Sequence, residues 1–269
     1  MTSPSRSFHL AKEPPMQAEL QGEELLAALE AGIVRAAEPQ GDGGWRVVPW
    51  VKQGILDLFR SSPVVPMGVF RDKAAFPLRE FDEGSGVRLV PGGSAVRRGA
   101  HLGPGVVCMP PMYVNVGAHV GAGSMIDSHA LVGSCAQVGC EVHLSAAAQL
   151  GGVLEPAGAR PVIIEDRAFV GAGVLVLEGV RVGSRAVLAA GVALAANTVL
   201  YDLVNEREVR GSREEPLEIP PGAVVVPGTR PAAGGYARQI GLSQACALIV
   251  KYRTSSTDAA TALEEALRS

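Results

Sequence analysis

An apolar residue recurs at every sixth position through the middle of this chain of 269 residues. The period runs without a slip, breaks once and then resumes. Its members are Val90, Val96, Leu102, Cys108, Val114, Val120, Ile126, Val132, Val138, Leu144 and Leu150 before the break, and Ile164, Val170, Val176, Val182, Leu188, Leu194 and Leu200 after it. Neither an α-helix nor a simple strand has this period. It predicts a triangular coil in which each hexad forms one short strand and one corner.

Glycine often follows the inward-pointing residue of a hexad. It does so at Gly103, Gly121, Gly133, Gly139, Gly151, Gly171 and Gly183. A sharp corner can require a positive φ, which glycine adopts without a Cβ clash, so we expect positive φ at these glycines. The composition fits a thin core, because the chain has 33 glycines and only 4% aromatic residues.

Residues 153–161 (VLEPAGARP) interrupt the six-residue period. Their proline and glycine content predicts a loop that leaves the coil and returns to it. Loops on a rigid scaffold often carry functional residues, so this segment is a candidate functional element.

Both flanks of the repeat predict elements that close the ends of the coil. Residues 22–32 predict a helix that ends at Gly32, and residues 44–48 predict a strand. Residues 49–60 predict a second helix with Pro49 near its first position. The apolar face of that helix consists of Val51, Ile55, Leu58 and Phe59.

Downstream of the repeat, residues 245–252 predict a strand, and residues 257–267 predict a terminal helix capped by Thr257. The sequence thus predicts a mainly β protein, in which a parallel β-helix is flanked by a small helical domain and a short strand-and-helix extension. The predicted domains cover residues 1–86, 87–228 and 229–269.

Charge and composition exclude several classes of function. A net charge of −3 offers no basic surface for nucleic acid. No apolar run is long enough to cross a membrane, and the first residues lack the apolar stretch of a secretory signal, so we expect a cytoplasmic protein. The cysteines lack metal-ligand spacing, so we expect buried free thiols and no metal site. They are Cys108, Cys135, Cys140 and Cys246.

Several stretches of the chain resemble the tetrahydrodipicolinate N-succinyltransferases. They are LEAGIVRAAE, WVKQGILDLFR, MYVNVGAHV, MIDSHALVGSCAQVG, VHLSAAAQLGGVLEP, PVIIED, IPPGAVVVPG and ALIVKYR. Many hexapeptide proteins share the six-residue period, but VGSCAQVG followed by GGVLEP is far more specific to this family. The resemblance covers nearly the whole chain.

The resemblance implies a homotrimer of left-handed parallel β-helices with active sites between neighbouring subunits. The period itself does not show the handedness, since ordinary parallel crossovers are right-handed. The resemblance also implies transfer of succinyl from succinyl-CoA to the amino group of the ring-opened tetrahydrodipicolinate, in lysine and diaminopimelate biosynthesis. Succinyl-CoA is then a co-substrate, and no cofactor is bound permanently.

Asp127 stands where the neighbouring hexads have glycine. Taken alone, it is explained as a turn aspartate that tolerates a left-handed corner. The resemblance implies instead that Asp127 contacts the substrate near its attacking amine, where a carboxylate can orient an ammonium group and help to remove its proton. Arg88 matches the arginine that binds a substrate carboxylate, and a solvated arginine at the first coil is the alternative.

One departure from the family concerns its glutamates. Some members have a catalytic glutamate in a segment Glu-Val-Val-Glu-Gly, where this chain reads LVLEG with Leu175 first. Glu178 matches the second carboxylate and is a candidate catalytic residue, with a solvent-facing corner glutamate as the alternative. His129 is another candidate base, because histidine deprotonates the acceptor in other hexapeptide acyltransferases. The family gives it no such role, and a packed or interface histidine is the preferred interpretation.

For coenzyme A, the resemblance points to the interrupting loop and the C-terminal region. Gly151 and Gly152 would let a pantetheine arm approach the backbone, whose N–H groups would hold the thioester oxygen. Lys251 and Arg253 are candidates to neutralise the CoA phosphates, and a solvated strand end explains them equally well.

No residue has the setting of a covalent acyl carrier, so we expect the amine to attack the thioester directly. Two alternatives stay open. One is a divergent acyltransferase that uses acetyl-CoA or another amino-acid acceptor, which the change at Leu175 makes reasonable. The other is a catalytically silent trimeric β-helix that serves as a scaffold.

Overall fold

The computed structural model describes residues 19–212 and 214–254. Two helices and two antiparallel hairpins precede the coil. They are α1 (Gly22–Glu30), β1 (Ala37–Pro39), β2 (Trp45–Val47), α2 (Pro49–Ser61), β3 (Val64–Met67) and β4 (Phe70–Lys73), followed by a 3-10 turn (Glu83–Ser85). Both predicted helices and the predicted strand are confirmed, with ends that differ from the expected ones by no more than two residues.

The N-terminal helices form where local chemistry favours them. Gly32 follows α1 with a φ of 73°, which suits the residue after a helix end. Pro49 begins α2, where its missing N–H costs no helix hydrogen bond. The helices pack closely at Gly54, where a Cβ would lie 2.5 Å from Cδ2 of Leu25. The predicted apolar face of α2 packs inward at Val51, Ile55, Leu58 and Phe59.

The repeat forms three parallel sheets, named here faces A, B and C, because the strands from β5 to β21 pair with one another at intervals of three positions. Face A contains β5 (Arg88–Leu89), β8 (Val107–Cys108), β11 (Met125–Ile126), β14 (His143–Leu144), β17 (Phe169–Val170) and β20 (Val187–Leu188). Face B contains β6 (Ala95–Val96), β9 (Tyr113–Val114), β12 (Leu131–Val132), β15 (Gln149–Leu150), β18 (Leu175–Val176) and β21 (Ala193–Leu194). Face C contains β7 (His101–Leu102), β10 (His119–Val120), β13 (Gln137–Val138), β16 (Ile163–Ile164), β19 (Arg181–Val182) and β24 (Glu218–Ile219). The fold is the predicted left-handed parallel β-helix.

The inward residues of the period form the core of the coil. From Val96 to Leu194, each of them is at most 4% exposed. The strand register stacks them directly, since Ile126 pairs with Cys108 below it and Leu144 above it. Burial of one such side chain contributes roughly 1.5–3 kcal/mol, so stacking between coils stabilises strands that are only two residues long.

The predicted inward residues are wrong at the two ends of the period, at Val90 and Leu200. In β5 the pairing places Leu89, not Val90, in the inward register, and Leu89 is still 36% exposed because β5 is the first strand of face A. The segment 91–93 supplies the extra residue before β6. At the other end, Leu200 is fully buried but leaves the stack, because it begins β22 (Leu200–Asp202), which pairs with strands outside the coil.

The glycines that follow the inward residues do not adopt positive φ, so that prediction is wrong. They are required because the coils approach closely: a Cβ on Gly121 would lie 2.5 Å from the carbonyl carbon of Gly139 in the next coil. Positive φ occurs two residues further on. Among the residues with this conformation are Gly99, Gly105, Gly117, Gly123, His129, Cys135, Glu141, Ala147, Arg167, Gly173, Gly179, Arg185 and Gly191.

The C-terminal strands cap the upper end of face A. They are β22, β23 (Arg207–Val209), β25 (Ala223–Pro231) and β26 (Ser243–Tyr252), with α3 (Gly235–Gln239) between the last two. β25 adds to face A, and β26 runs antiparallel to it. Val187 and Val224 are buried there with Val250 packed against them. The predicted strand at 245–252 is confirmed.

The predicted terminal helix at 257–267 lies outside the described residues. The three-domain division stays a prediction, since β25 runs across the proposed boundary after residue 228. None of the helices in the part of the chain that the structure describes is long and apolar enough to cross a membrane.

The N-terminal elements cover the outer side of face C. His101 is hydrogen-bonded through Nδ1 to the carbonyl oxygen of Glu30 (2.9 Å), and Trp45 donates through Nε1 to Glu165 Oε1 (2.9 Å). Burial beneath this cover lowers the pKa of His119 to about 2, so its imidazole is neutral at physiological pH. Face B differs, because its outward residues Leu175 and Ala193 are exposed.

Three of the four cysteines are buried free thiols, as predicted. They are Cys108, Cys135 and Cys246. Burial raises the pKa of the Cys108 and Cys135 thiols to about 12, so they are unreactive near neutral pH. The prediction is wrong for Cys140, which is exposed because it lies at the outer position of a corner after face C.

Candidate active site

Asp127 lies at the corner between faces A and B, directly after β11. Its N–H donates to the carbonyl oxygen of Leu144 in the next coil, so the backbone at Asp127 belongs to the regular ladder. The left-handed residue of this corner is His129, with a φ of 63°. The explanation of Asp127 as a left-handed turn residue is therefore wrong. Its neighbours within the face A column of corners are Met109 and Ser145, so this corner accommodates side chains.

The Asp127 carboxylate is half-buried and only partly satisfied. Its Oδ1 accepts a hydrogen bond of 2.7 Å from the N–H of Ser128, which fixes the orientation of the carboxylate. Its Oδ2 accepts no hydrogen bond from any residue in the described ranges 19–212 and 214–254. An oriented carboxylate with one open oxygen can accept a hydrogen bond from an ammonium group of a ligand.

Arg88 lies on the outer side of face A, two strands below the strand that precedes Asp127. It pairs in register with Val107, which pairs with Met125. Two strand spacings separate Arg88 from Met125 by about 10 Å along the axis of the coil. Arg88 is exposed and makes no ion pair with another described residue. The structure therefore places Arg88 on face A, beside the edge of the coil that carries Asp127.

Glu178 lies at a different corner, between faces B and C after β18. Its backbone φ is 53°, and its Oε2 accepts a hydrogen bond of 3.1 Å from the N–H of Ala196 in the next coil. Glu178 lines an open cleft of about 610 Å³. The interrupting loop forms most of the remaining wall. The other lining residues are Gly152, Val153, Glu155, Pro156, Ala159, Arg160, Ala196, Asn197 and Pro216.

The two predicted glycines of the loop have different surroundings. Gly152 is exposed and lines the cleft, so a ligand can approach its backbone there. Gly151 is half-buried, and a Cβ on it would lie 3.0 Å from the side chain of Leu177. The structure thus brings Glu178 and Gly152 together on the edge between faces B and C.

Lys251 is not part of this cleft. It lies near the end of β26, opposite Val224 of β25, at the top of face A. Within one chain, the three groups of predicted residues therefore occupy three places: Asp127 on one edge with Arg88 beside it, Glu178 with Gly152 on another, and Lys251 on the cap.

The outer side of face B connects the two edges. Leu175, which replaces the first family glutamate, points outward from β18 and is 36% exposed. It pairs in register with Gln149 below it. Gln149 donates through Nε2 to the carbonyl oxygen of His129 (3.0 Å), while the His129 side chain is exposed. The His129 backbone is thus held by this contact, and its ring is not packed within one chain, so a role at a subunit interface stays a prediction.

Sequence reasoning missed Arg160 and Asn197, which line the cleft. Arg160 donates through Nε to Gly179 O (2.8 Å) and through Nη2 to Pro216 O (2.6 Å), so it ties the loop to the coil above. The only hint in the sequence was that Arg160 is a charged residue within the loop that interrupts the period. No cluster of three or more potential metal-binding side chains occurs among the residues that the structure describes.

Comparisons with known proteins agree with this fold. A model described as the N-terminal part of tetrahydrodipicolinate N-succinyltransferase matches residues 14–60, and a model of the hexapeptide repeat of succinyl-transferase matches residues 161–196. A Polynucleobacter asymbioticus protein is 44% identical across 91% of this chain and 87% of its own length. A protein from Methylobacterium sp. (strain 4-46) is 42% identical across 91% and 88%, and one from Xylella fastidiosa (strain Temecula1) is 41% identical across 91% and 86%. All three are named 2,3,4,5-tetrahydropyridine-2,6-dicarboxylate N-succinyltransferase.

The hexapeptide coil and these matches define the chain as an acyltransferase of the β-helix class. The chain belongs to the family of the tetrahydrodipicolinate N-succinyltransferases.

Proposed function

We propose that this chain transfers succinyl from succinyl-CoA to the amino group of tetrahydrodipicolinate in its ring-opened form, giving N-succinyl-2-amino-6-oxopimelate for diaminopimelate and lysine biosynthesis. The names of the relatives support this substrate pair. The observation that carries the proposal is the open Oδ2 of Asp127, with an exposed Arg88 on the adjoining face A. A substrate with both an amine and carboxylates complements this pair of opposite charges.

Asp127 acts on the acceptor amine in this proposal. The carboxylate binds the ammonium group through Oδ2 and removes a proton, because only the neutral amine has the lone pair that attacks a thioester. Arg88 binds a substrate carboxylate and so fixes the distance between the amine and the rest of the acceptor. The new N–C bond forms as the C–S bond breaks, and the CoA thiolate leaves and takes up a proton.

The acyl donor occupies the cleft between faces B and C in this proposal. The exposed backbone of Gly152, with that of Gly151 beside it, admits the pantetheine arm and provides N–H groups to the thioester oxygen. Glu178 lines the same cleft and is the second carboxylate of the site. Its contact with the N–H of Ala196 supports a role in shaping the donor pocket rather than a role as the base.

A homotrimer completes the proposal. The acceptor edge and the donor edge lie on opposite sides of face B in one chain, so one reaction centre requires the acceptor edge of one subunit and the donor edge of its neighbour. Lys251, with Arg253, belongs to the cap and is proposed to contact the CoA phosphates from there. The cytoplasmic location expected from the sequence stays a prediction.

Release of CoA thiol by the purified protein tests the function. The donors are succinyl-CoA and acetyl-CoA, each with and without tetrahydrodipicolinate or L-2-aminopimelate. Release with succinyl-CoA that depends on the acceptor is the expected result. A preference for acetyl-CoA would establish the divergent acyltransferase that Leu175 makes reasonable. The absence of release with either donor from a folded trimer would favour the silent scaffold.

A further inference from the structure

A lysine is completely buried between the N-terminal helices and the loop that lines the donor cleft. Lys52 of α2 is 0% exposed, and its Nζ donates to the carbonyl oxygen of Ala159 at 2.5 Å. No carboxylate of the described residues forms an ion pair with it. Burial lowers the pKa of its ammonium group, and the buried thiol of Cys135 opposes this shift only in part.

Such a lysine is a costly way to stabilise a fold. Burial of an ammonium group without a carboxylate partner carries a desolvation cost that one hydrogen bond offsets only in part. An apolar side chain of similar length fills the same space without that cost. Lys52 therefore stands out among the core residues of the N-terminal cluster, which otherwise consists of side chains such as Leu25, Val51 and Ile55.

The group that Lys52 holds belongs to the donor cleft. Ala159 lies in the loop between β15 and β16, and it lines the cleft together with Gly152 and Glu178. The loop has an inner side as well, where Leu154 packs against the N-terminal cluster. Lys52 thus reaches the loop from the side opposite the cleft.

Two long basic side chains fix this loop at neighbouring positions. Lys52 binds the carbonyl oxygen of Ala159 from below, and Arg160 binds the carbonyl oxygens of Gly179 and Pro216 above it. The loop makes few backbone hydrogen bonds to the coil, one of which is from Val153 N to Ser134 O (3.2 Å). Its shape therefore depends on these side-chain contacts.

We propose that Lys52 is a positioning residue for the acyl-donor half of the site. Its hydrogen bond to Ala159 holds the 151–162 loop in the conformation that forms the cleft beside Glu178. This inference rests on the proposed function, because it takes that cleft as the place where the acyl-CoA binds.

Lys52→Met removes the ammonium group that donates the hydrogen bond to Ala159 and keeps the volume of the side chain. We expect the KM for succinyl-CoA to rise about tenfold, with the KM for the acceptor unchanged within about twofold. The melting temperature is expected to stay the same or to rise, because the buried charge is gone. A lysine that only stabilised the fold would give the opposite pattern, and a lower melting temperature without a selective rise in the donor KM would overturn the proposal.

Lys73→Met is the matched control. Lys73 also donates to a backbone carbonyl, that of Ser62 at 2.9 Å, but it lies in the β3–β4 hairpin away from the cleft. We expect no change in either KM. A rise in the donor KM of the same size in both variants would also contradict a specific role of Lys52.

Hydrogen exchange without ligands separates this inference from the proposed function. Amides of residues 152–160 are expected to exchange faster in Lys52→Met than in the wild type, whatever reaction the enzyme catalyses. Unchanged exchange would overturn the positioning role even if succinyl transfer is established. Faster exchange with an unchanged donor KM would overturn the link between the loop and the donor. If the wild-type protein does not transfer succinyl, the assignment of the cleft to succinyl-CoA is refuted. Hydrogen exchange then still tests whether the contact between Lys52 and Ala159 holds the loop.

Discussion

The two edges of face B differ in construction: one presents side chains from the regular coil, and the other presents the backbone of an inserted loop. The edge between faces A and B belongs to the regular coil, and the groups proposed to act there are the side chains of Asp127 and of Arg88 on the adjoining face A. The edge between faces B and C is built by an insertion into the coil, and it offers backbone at Gly152 with Glu178 beside it. In the proposed reaction, the rigid coil aligns the acceptor for attack, whereas the inserted loop makes room for the long pantetheine arm.

Removal of the Asp127 charge is expected to give the largest effect. Asp127→Asn keeps an oxygen for the N–H of Ser128 but cannot accept a proton, so kcat should fall by roughly 10²–10⁴ with the mass of the oligomer unchanged. Steady-state kinetics and light scattering measure both quantities. The matched control is Asp166→Asn, because Asp166 Oδ1 likewise accepts a hydrogen bond from a backbone N–H, that of Cys140. A kcat near that of the wild type in Asp127→Asn would remove Asp127 from the chemistry.

Loss of Arg88 is expected to weaken acceptor binding alone. Arg88→Met should raise the acceptor KM roughly 10- to 100-fold, since hydrogen bonds to a charged group contribute about 1.5–3 kcal/mol, and should leave the KM for succinyl-CoA unchanged. Arg167→Met is the control, because Arg167 is exposed at another corner and pairs only with Glu141 (3.0 Å). An increase confined to the KM for succinyl-CoA would contradict the prediction, because it would mean that Arg88 contacts the acyl donor and not the acceptor.

A smaller effect is expected at Glu178. Glu178→Gln preserves an acceptor for the N–H of Ala196 and removes the charge, so kcat/KM for succinyl-CoA should fall roughly three- to tenfold. Glu206→Gln provides the control, since Glu206 is also an exposed glutamate with positive φ, in the turn after β22. A loss of 10²-fold or more at Glu178 would make it, and not Asp127, the candidate base.

The sequence predicts the parts of the fold that depend on local packing. The inward residues from Val96 to Leu194 are found from their spacing alone, because each hexad buries one of them in the same way. The register of Leu89 escapes this reasoning, since the first strand has no coil beneath it. The glycine prediction fails for a different reason: Gly121 and Gly139 are constrained by the coil above them, at Gly139 and at Asp166 respectively, and not by their own turn.

The site is less accessible to sequence reasoning than the fold. Asp127 and Arg88 are found through the family resemblance, since nothing in their spacing shows that Arg88 lies beside the edge that carries Asp127. Lys52 and Ala159 are far apart in sequence, and only the folded chain reveals their contact. The proposed pairing of the two edges across subunits concerns a second chain, which the spacing of residues in one sequence does not describe.

The smallest effect is expected where this chain departs from its family. Leu175 lies on the outer side of face B, between the two edges, and Leu175→Glu restores the missing carboxylate. If Asp127 is the base, kcat should change by less than about threefold. Ala193→Glu is the matched control, because Ala193 is the exposed partner of Leu175 in the next strand. A rise in kcat of tenfold or more that is specific to Leu175→Glu would mean that a group on face B removes the proton. The proposed division between an acceptor edge with Asp127 as the base and a donor edge would then be wrong.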